Sequence, residues 1–456
     1  MTAQLPESWT LSTFENLNQF TSRTIDPAQC PDEAFELYSV PSFPTGEPEH
    51  VHGSAVGSTK QTVEPRDVLV CKINPRINRV WQVKEAKLRR QIASSEWIGF
   101  RNPDLSADFY RHYFCSADFR DLICTDVTGV GGSLTRAQPK KVAMFQLPVA
   151  PLNEQERIAD KLDAVLARIH ACRDRLDRVP AILKRFRQSV LGAATSGGLT
   201  EEWRDERGVS DDWVDCDVQS IAQVGTGSTP LRSNSNFFAS TGTPWVTSAA
   251  TSQPVVLAAH EYVTDAAIAA HRLKTFPIGT LLVAMYGEGK TRGQITELGI
   301  QATINQACAA VVVDTKRAMN GFVKLSLQAN YFEMRELAEG GNQPNLNLSK
   351  VKAFPLRLPS IEEQAEIVRR VESLFAWADR LEARYAAARA HVERLTPALL
   401  AKAFRGELVP QDPVDEPASD LLERLGQRPA DNPTGLPKPR GAKPGRANAA
   451  QAASSA

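Results

Sequence analysis

Residues 280–291, TLLVAMYGEGKT, run a strand-length apolar segment into a glycine-bearing loop that ends Gly289-Lys290-Thr291, the order in which a phosphate-binding P-loop is assembled. That chemistry has two further requirements: a glycine at the first position of the motif, and a helix directly after the Lys-Thr pair so that its N-terminus faces the phosphate. Position 284 is alanine instead, and the following RGQITELGIQATINQ (292–306) has glycines at 293 and 299 and reads as turn and strand. No nucleotide site is expected. The signatures GxSxG, HExxH, GxGxxG after a strand, and the Asn/Asp-Pro-Pro-Tyr/Phe of adenine methyltransferases are absent from the sequence. His112 and Cys115 stand close together without a second ligand pair, so neither a metal site nor a catalytic residue is expected.

Basic side chains, by contrast, cluster. KINPRINRVWQVKEAKLRR (72–90) holds seven basic residues against one acidic, with Trp81 in its middle. Such a density suits phosphate neutralisation, and arginine can also read a guanine edge through a bidentate pair. Lys72, Arg76 and Arg79 are the candidates, with a solvated surface face as the alternative. The matching loop in the second half offers Tyr286, Lys290 and Arg292, the lysine being expected to meet a nucleic-acid phosphate. Further on, GGNQPNLN (340–347) supplies Asn342 and Gln343, whose amides can pair bidentately with adenine or else cap a turn.

These residues need elements to hold them. At 456 residues the chain exceeds one ordinary core and implies two or three domains. Lysine plus arginine (53) balance aspartate plus glutamate (53), so any basic site must come from local clustering. The seven cysteines are odd in number and never form a CxxC pair, which reads as reduced thiols. The N-terminus lacks a basic region followed by an apolar one, and no apolar run approaches about 18 residues. A cytoplasmic protein with no membrane contact is expected.

The organising feature is a repeat. Offset by 209 residues (131 against 340), positions 131–200 align with 340–409 without a gap and share Gly131/Gly340, Lys141/Lys350, Val142/Val351, Phe145/Phe354, Glu154/Glu363, Gln155/Gln364, Ile158/Ile367, Arg185/Arg394, Gly197/Gly406 and Leu199/Leu408, among others. Upstream, Trp9 and Trp213 each open a half, and DVLVCKINPR echoes TLLVAMYGEGK. Within the shared segment apolar residues recur at alternating spacings of four and three. The first copy runs Ile158, Leu162, Val165, Ile169, Cys172, Leu176, Val179, Leu183, Phe186, Val190. The second runs Ile367, Val371, Leu374, Ala378, Leu381, Tyr385, Ala388, Val392, Leu395, Leu399. Such heptads predict a coiled coil. Pro151 and Pro359 precede the helices and Gly197 and Gly406 follow them, while Pro180 and Pro397 should kink them. One helix leaves the first globular region for the second and the other returns, so the pair is predicted antiparallel; packing of each helix on its own domain is the alternative.

The predicted fold is α+β: two similar mixed α/β domains, related by a pseudo-twofold and separated by two long antiparallel coiled-coil helices. Boundaries are expected at 1–152 (first domain), 153–195 (central spacer helix), 196–361 (second domain) and 362–405 (C-terminal spacer helix). Residues 406–456, rich in Pro, Ala, Gly and Arg, read as a flexible tail with one short amphipathic piece around ASDLLERLGQ.

The helix-start motifs LPVAPLNEQERI and LRLPSIEEQAEI, the run GTLLVAMYGEGKTRG followed by ATINQACAAV, GGNQPNLN entering FPLRLP, and the ending AFRGELVPQDPVDEPASDLLERL together resemble the specificity subunit of type I restriction-modification systems. The resemblance covers nearly the whole chain and is weakest over residues 1–150, where DVLVCKINP and GGSLTR carry it; the latter adds Arg136 to the candidate DNA contacts. It implies a subunit without catalytic activity, whose two target-recognition domains each read half of a split site in double-stranded DNA. It further implies two modification subunits that bind S-adenosylmethionine and methylate adenine, and restriction subunits that use ATP and Mg, with no cofactor in this chain. A helix from Glu154 to Leu191 would run about 57 Å at about 1.5 Å per residue, compatible with half-sites about 34 Å, one DNA turn, apart. The competing reading is a coiled-coil protein scaffold without sequence-specific DNA reading.

Overall fold

The apolar runs VLVC and LLVA become the strands Val68–Cys71 and Leu281–Ala284, each buried along its whole length. The computed structural model describes residues 5–86, 89–125, 127–128, 135–286, 291–334 and 346–426; Lys290, Asn342 and Gln343 lie outside them. The chain divides into two compact units, residues 1–170 with 393–456, and residues 171–392.

In the first unit Val68–Cys71 lies between Val80–Gln82 and Trp97–Phe100, antiparallel to both. In the second unit Leu281–Ala284 lies between Ile295–Leu298 and Cys308–Val313, again antiparallel to both. Strands buried on both faces read as continuous apolar runs, which is why these two stood out in the sequence. Each unit also carries a separate five-stranded mixed sheet. A short antiparallel ladder closes each globular region onto the strand preceding its long helix: Thr10–Thr13 on Gln146–Val149, and Val214–Asp217 on Pro355–Leu358.

The long helices span Leu152–Ser196 and Ile361–Ala403 and continue through Pro180 and Pro397. Of the expected seam, Ile158, Leu162, Ile169, Leu183, Ile367, Val371 and Val392 are buried, and Val165, Leu176, Leu374, Leu381 and Leu395 half-buried. Cys172 and Ala388, in phase with the heptads, are exposed. Within the first unit Ile158 and Leu162 share a core with Leu400, Ala403 and Phe404. Within the second, Arg187 bonds Asp379 at 2.6 Å and Glu382 at 2.8 Å, while Asp177 pairs with Arg389. Lower numbers on one helix meet higher numbers on the other, so these segments run antiparallel.

The starts of the two helices are built alike. Gln155 Oε1 accepts the Ser106 N–H at 3.1 Å and its Nε2 donates to Ala150 O at 2.8 Å; Gln364 does the same with Met319 N–H at 2.7 Å and Pro359 O at 2.9 Å. Trp9 packs edge-on against Phe109 and Trp213 against Phe322, each at 6.0 Å between ring centres.

Residues 406–426 are not a tail. Gly406, with φ +73, turns the chain at the end of the second long helix. Beyond it Gln411 Nε2 donates to Glu154 Oε1 at 2.6 Å, and the Asp415 carboxylate accepts from Arg157 at 2.7 Å and Asn153 at 3.2 Å. Ala418 and Leu421 of the helix Ala418–Gly426 enter the first unit's core, with Leu422 and Leu425 packed against it. Composition pointed the other way because Pro and charged residues dominate the segment; its few apolar residues, at i, i+3, i+4 and i+7, make one stripe, and that suffices. In the second unit the segment after the first long helix plays the same part, with Thr200 and Arg204 bonding the Glu363 carboxylate at 2.7 and 2.5 Å.

Candidate nucleic-acid interface

The loop leaving Val68–Cys71 is held by main-chain bonds at every step. Lys72 N–H donates to Glu96 O at 3.0 Å, Ala137 N–H to Lys72 O at 2.8 Å, and Asn74 N–H to Thr135 O at 2.7 Å. The Asn74 side chain returns a bond by accepting Thr135 N–H at 3.1 Å. Asn74 and Asn78 take left-handed backbone angles (φ 47 and 50), which asparagine tolerates better than most residues. Between them Pro75–Ile77 forms a single 3-10 turn. Pro75 is buried, whereas Arg76 and Ile77 are exposed, Ile77 to 51%. Beside the turn Lys72 and Arg136 flank Glu96, at 3.9 and 3.0 Å, and with Gln138 and Lys140 line a cleft of about 350 Å³.

The basic run 72–90 does not form one patch. Arg79 turns inward, its guanidinium donating to Ile73 O at 3.4 Å, so it steadies the loop. Trp81 is core: it is buried against Tyr38 and Phe43, with ring centres at 4.8 and 5.6 Å. Lys84 pairs with Glu47 at 2.6 Å and Arg90 with Glu33 at 3.7 Å. Counting charge along the segment missed these acidic partners because they arrive from the neighbouring five-stranded sheet and its loops. Of the candidates in this unit, the structure brings Lys72 and Arg136 together in one cleft and leaves Arg76 exposed on the turn that follows.

In the second unit the hairpin from Leu281–Ala284 to Ile295–Leu298 presents Tyr286, 38% exposed, directly after the buried Met285. Arg292 is half-buried in the closing turn, where Gly293 takes φ +81 and its N–H donates to Ala284 O at 2.8 Å. The Arg292 Nε is buried without a hydrogen-bond partner among the described residues. Turn and strand follow Thr291, so the helix a P-loop needs is not there. The same unit holds an open cleft of about 1100 Å³ whose lining includes Lys184 and Gln188 of the first long helix, Gln253, Gln294, Tyr331 and Phe332.

His112 belongs to a joint. Its Nε2 lies 2.9 Å from Asp163 Oδ1 on the first long helix, which also accepts from Arg111 at 2.6 Å. Burial, aided by Arg111, pushes the imidazole down to about 4. Among the described residues no group of three or more His, Cys, Asp or Glu could hold a metal, and no helix is long and apolar enough to cross a membrane. Sequence reasoning also missed the part played by Gln155 and Gln364, although their identity across the repeat was the available signal. Arg204 and Ile77 had no such signal.

Residues 210–387 match the type I restriction modification DNA specificity domain. The chain is 28% identical over 393 residues to the type I restriction enzyme EcoKI specificity subunit of Escherichia coli (strain K12), covering 80% of this chain and 81% of that one. It is 32% identical over 308 residues to the EcoBI specificity subunit of Escherichia coli, covering 61% and 63%. Among solved structures, the HsdS subunit from Thermoanaerobacter tengcongensis shares the fold with a TM-score of 0.65 at 18% identity, over 89% of this chain and 99% of that one. A chain from a study of complex assembly and conformational transition of the type I R-M system gives 0.71 at 20% identity, over 89% and 100%.

Proposed function

We propose that this chain is a type I restriction-modification specificity (S) subunit, that it reads a bipartite sequence in double-stranded DNA, one half-site per unit, and that it docks the subunits that do the chemistry. The observation carrying the reading is the repeated module: a hairpin springing from a fully buried strand, Val68–Cys71 or Leu281–Ala284, in a region whose helix Ala107–Phe114 or Asn320–Ala329 is tied at its start to a long helix by the same buried glutamine. A protein with two divergent copies of one reader suits a target with two unrelated halves, as a twofold suits a palindrome. The chain itself carries no catalytic role.

In the first unit Lys72 and Arg136 contact phosphates, Arg76 contacts the DNA from the loop tip, and Arg79 positions that loop. In the second, Tyr286 and Arg292, with Lys290, Asn342 and Gln343, make the corresponding contacts. The two long helices act as an antiparallel coiled-coil spacer; the burial of the heptad positions and the opposed order of the Arg187 and Asp177 ion pairs support this. The partners are two modification subunits, which supply S-adenosylmethionine, and two restriction subunits, which use ATP and Mg, in the cytoplasm. The test is selection from random duplex DNA by the purified chain with its modification subunit. One enriched motif of two fixed blocks around a fixed gap is expected; recruitment of the partner without any enriched motif would leave only the scaffold reading.

A further inference from the structure

We propose that Arg76 and Ile77 form a preset base-reading tip for the half-site of the first unit, separate in role from the phosphate-binding Lys72 and Arg136. The inference rests on the function proposed above and adds to it a division of labour. Three observations carry it. The turn Pro75–Ile77 is clamped at both ends by non-glycine residues in left-handed backbone, which costs on the order of 1 kcal/mol each and persists only where the surroundings impose it. Those surroundings are visible: Thr135 bonds Asn74 from both its N–H and its carbonyl, Ile77 N–H donates to Asn74 O at 3.0 Å, Asn78 N–H donates to Pro75 O at 2.8 Å, and Pro75 is buried. Out of this rigid frame project one arginine and one isoleucine, both exposed, and Arg76 makes no ion pair among the described residues.

A large apolar side chain held in water beside an uncommitted guanidinium has little to offer the fold. It matches two features of a base edge in the major groove: the paired acceptors of guanine, which a planar fork engages bidentately, and the thymine methyl, which takes apolar contact. Because the tip is already ordered, binding does not have to immobilise it. The cleft lined by Lys72, Arg136 and Lys140 lies alongside, joined to the tip through the Ile73 and Arg136 bridge, so a phosphate held there would bring the adjoining base edges toward the turn. Those cations point to an anionic polymer, not to a protein groove.

Arg76→Lys is the decisive variant, because lysine keeps the charge but loses the fork. The full chain with its modification subunit is assayed for methylation of duplexes randomised within each half-site, at several salt concentrations. Arg76→Lys is expected to lose roughly 5- to 150-fold discrimination at one guanine position of one half-site, leaving the other half-site and the gap intact. Ile77→Ala should relax a neighbouring position in the same half-site. An unchanged motif overturns the proposal in either of two forms: with a uniformly lower rate in Arg76→Ala and a shallower salt dependence, Arg76 is a phosphate contact; with loss of co-purifying modification subunit, the tip is a protein contact. A wild-type complex that methylates without a bipartite preference would sink the proposed function itself, and the tip with it.

Discussion

The Gln364 side-chain oxygen accepts the Met319 N–H at 2.7 Å, tying the first turn of the second long helix to the first turn of the helix Asn320–Ala329. In the first unit the bond from Ser106 N–H to Gln155 is the same one, at the start of Ala107–Phe114. One amide thus satisfies an orphan N–H at a helix start and a carbonyl from the strand exit, and it couples the globular region to its long helix.

Gln364→Leu keeps the volume but strips both bonds, leaving a buried N–H and C=O unpaired. A loss of roughly 2–4 kcal/mol is expected, read as a lower denaturant midpoint. In the assembled complex the same variant should blur discrimination between the native gap and gaps one base pair longer or shorter, while the half-site bases stay fixed; duplexes differing only in gap length check this.

Arg204 and Glu363 form a buried pair, at 9% and 2% side-chain exposure, whereas the equivalent Glu154 is served by Trp9 Nε1 at 3.0 Å and Gln411. Arg204→Met therefore leaves a carboxylate buried without its cation and should cost about 3–5 kcal/mol, with most of the loss recovered in the Arg204→Met/Glu363→Met double variant. A double-mutant cycle by urea denaturation measures both.

His112 makes the first unit sensitive to acid. Its imidazole is held down at about 4 against 6.5 unfolded, so between those values the unfolded chain binds a proton that the native chain does not. Stability should accordingly rise with pH through that window and be lost as pH falls, by up to about 3 kcal/mol. His112→Gln should flatten the slope of melting temperature against pH from 4 to 6.5.

Ending the chain after Arg405 removes Gln411, Asp415, Ala418 and Leu421 from the first unit. A cost of at least about 3 kcal/mol is expected from the lost burial and bonds. Amide exchange should quicken across residues 107–114 and leave 320–329 protected; a chain ending at Gly426 keeps all of these contacts and should keep 107–114 protected.

Much of this architecture was legible from residue patterns. The heptads predicted helices over 153–195 and 362–405, and they run 152–196 and 361–403; apolar runs located both central strands. What escaped depends on contacts between residues distant in sequence. Trp81 looked like part of a basic patch because nothing nearby shows that Tyr38 and Phe43 enclose it. Residues 406–426 looked like a tail because their anchors, Ser8, Glu154 and Arg157, lie far away along the chain. The candidate site was legible as charge, at Lys72 and Arg76, but not as geometry, since the left-handed turn that shapes the tip is fixed by the pairing of Asn74 with the distant Thr135.

Whether the two units read two half-sites held apart by the helices is decided by mapping methylated positions across the DNA of a host carrying this chain and its modification subunit, with and without seven residues inserted between Arg173 and Leu183. The wild type should mark one motif of two fixed blocks and a fixed gap, and the insertion should change the gap or abolish methylation without altering either block. Altered block bases with an unchanged gap, or a single undivided motif in the wild type, would contradict it.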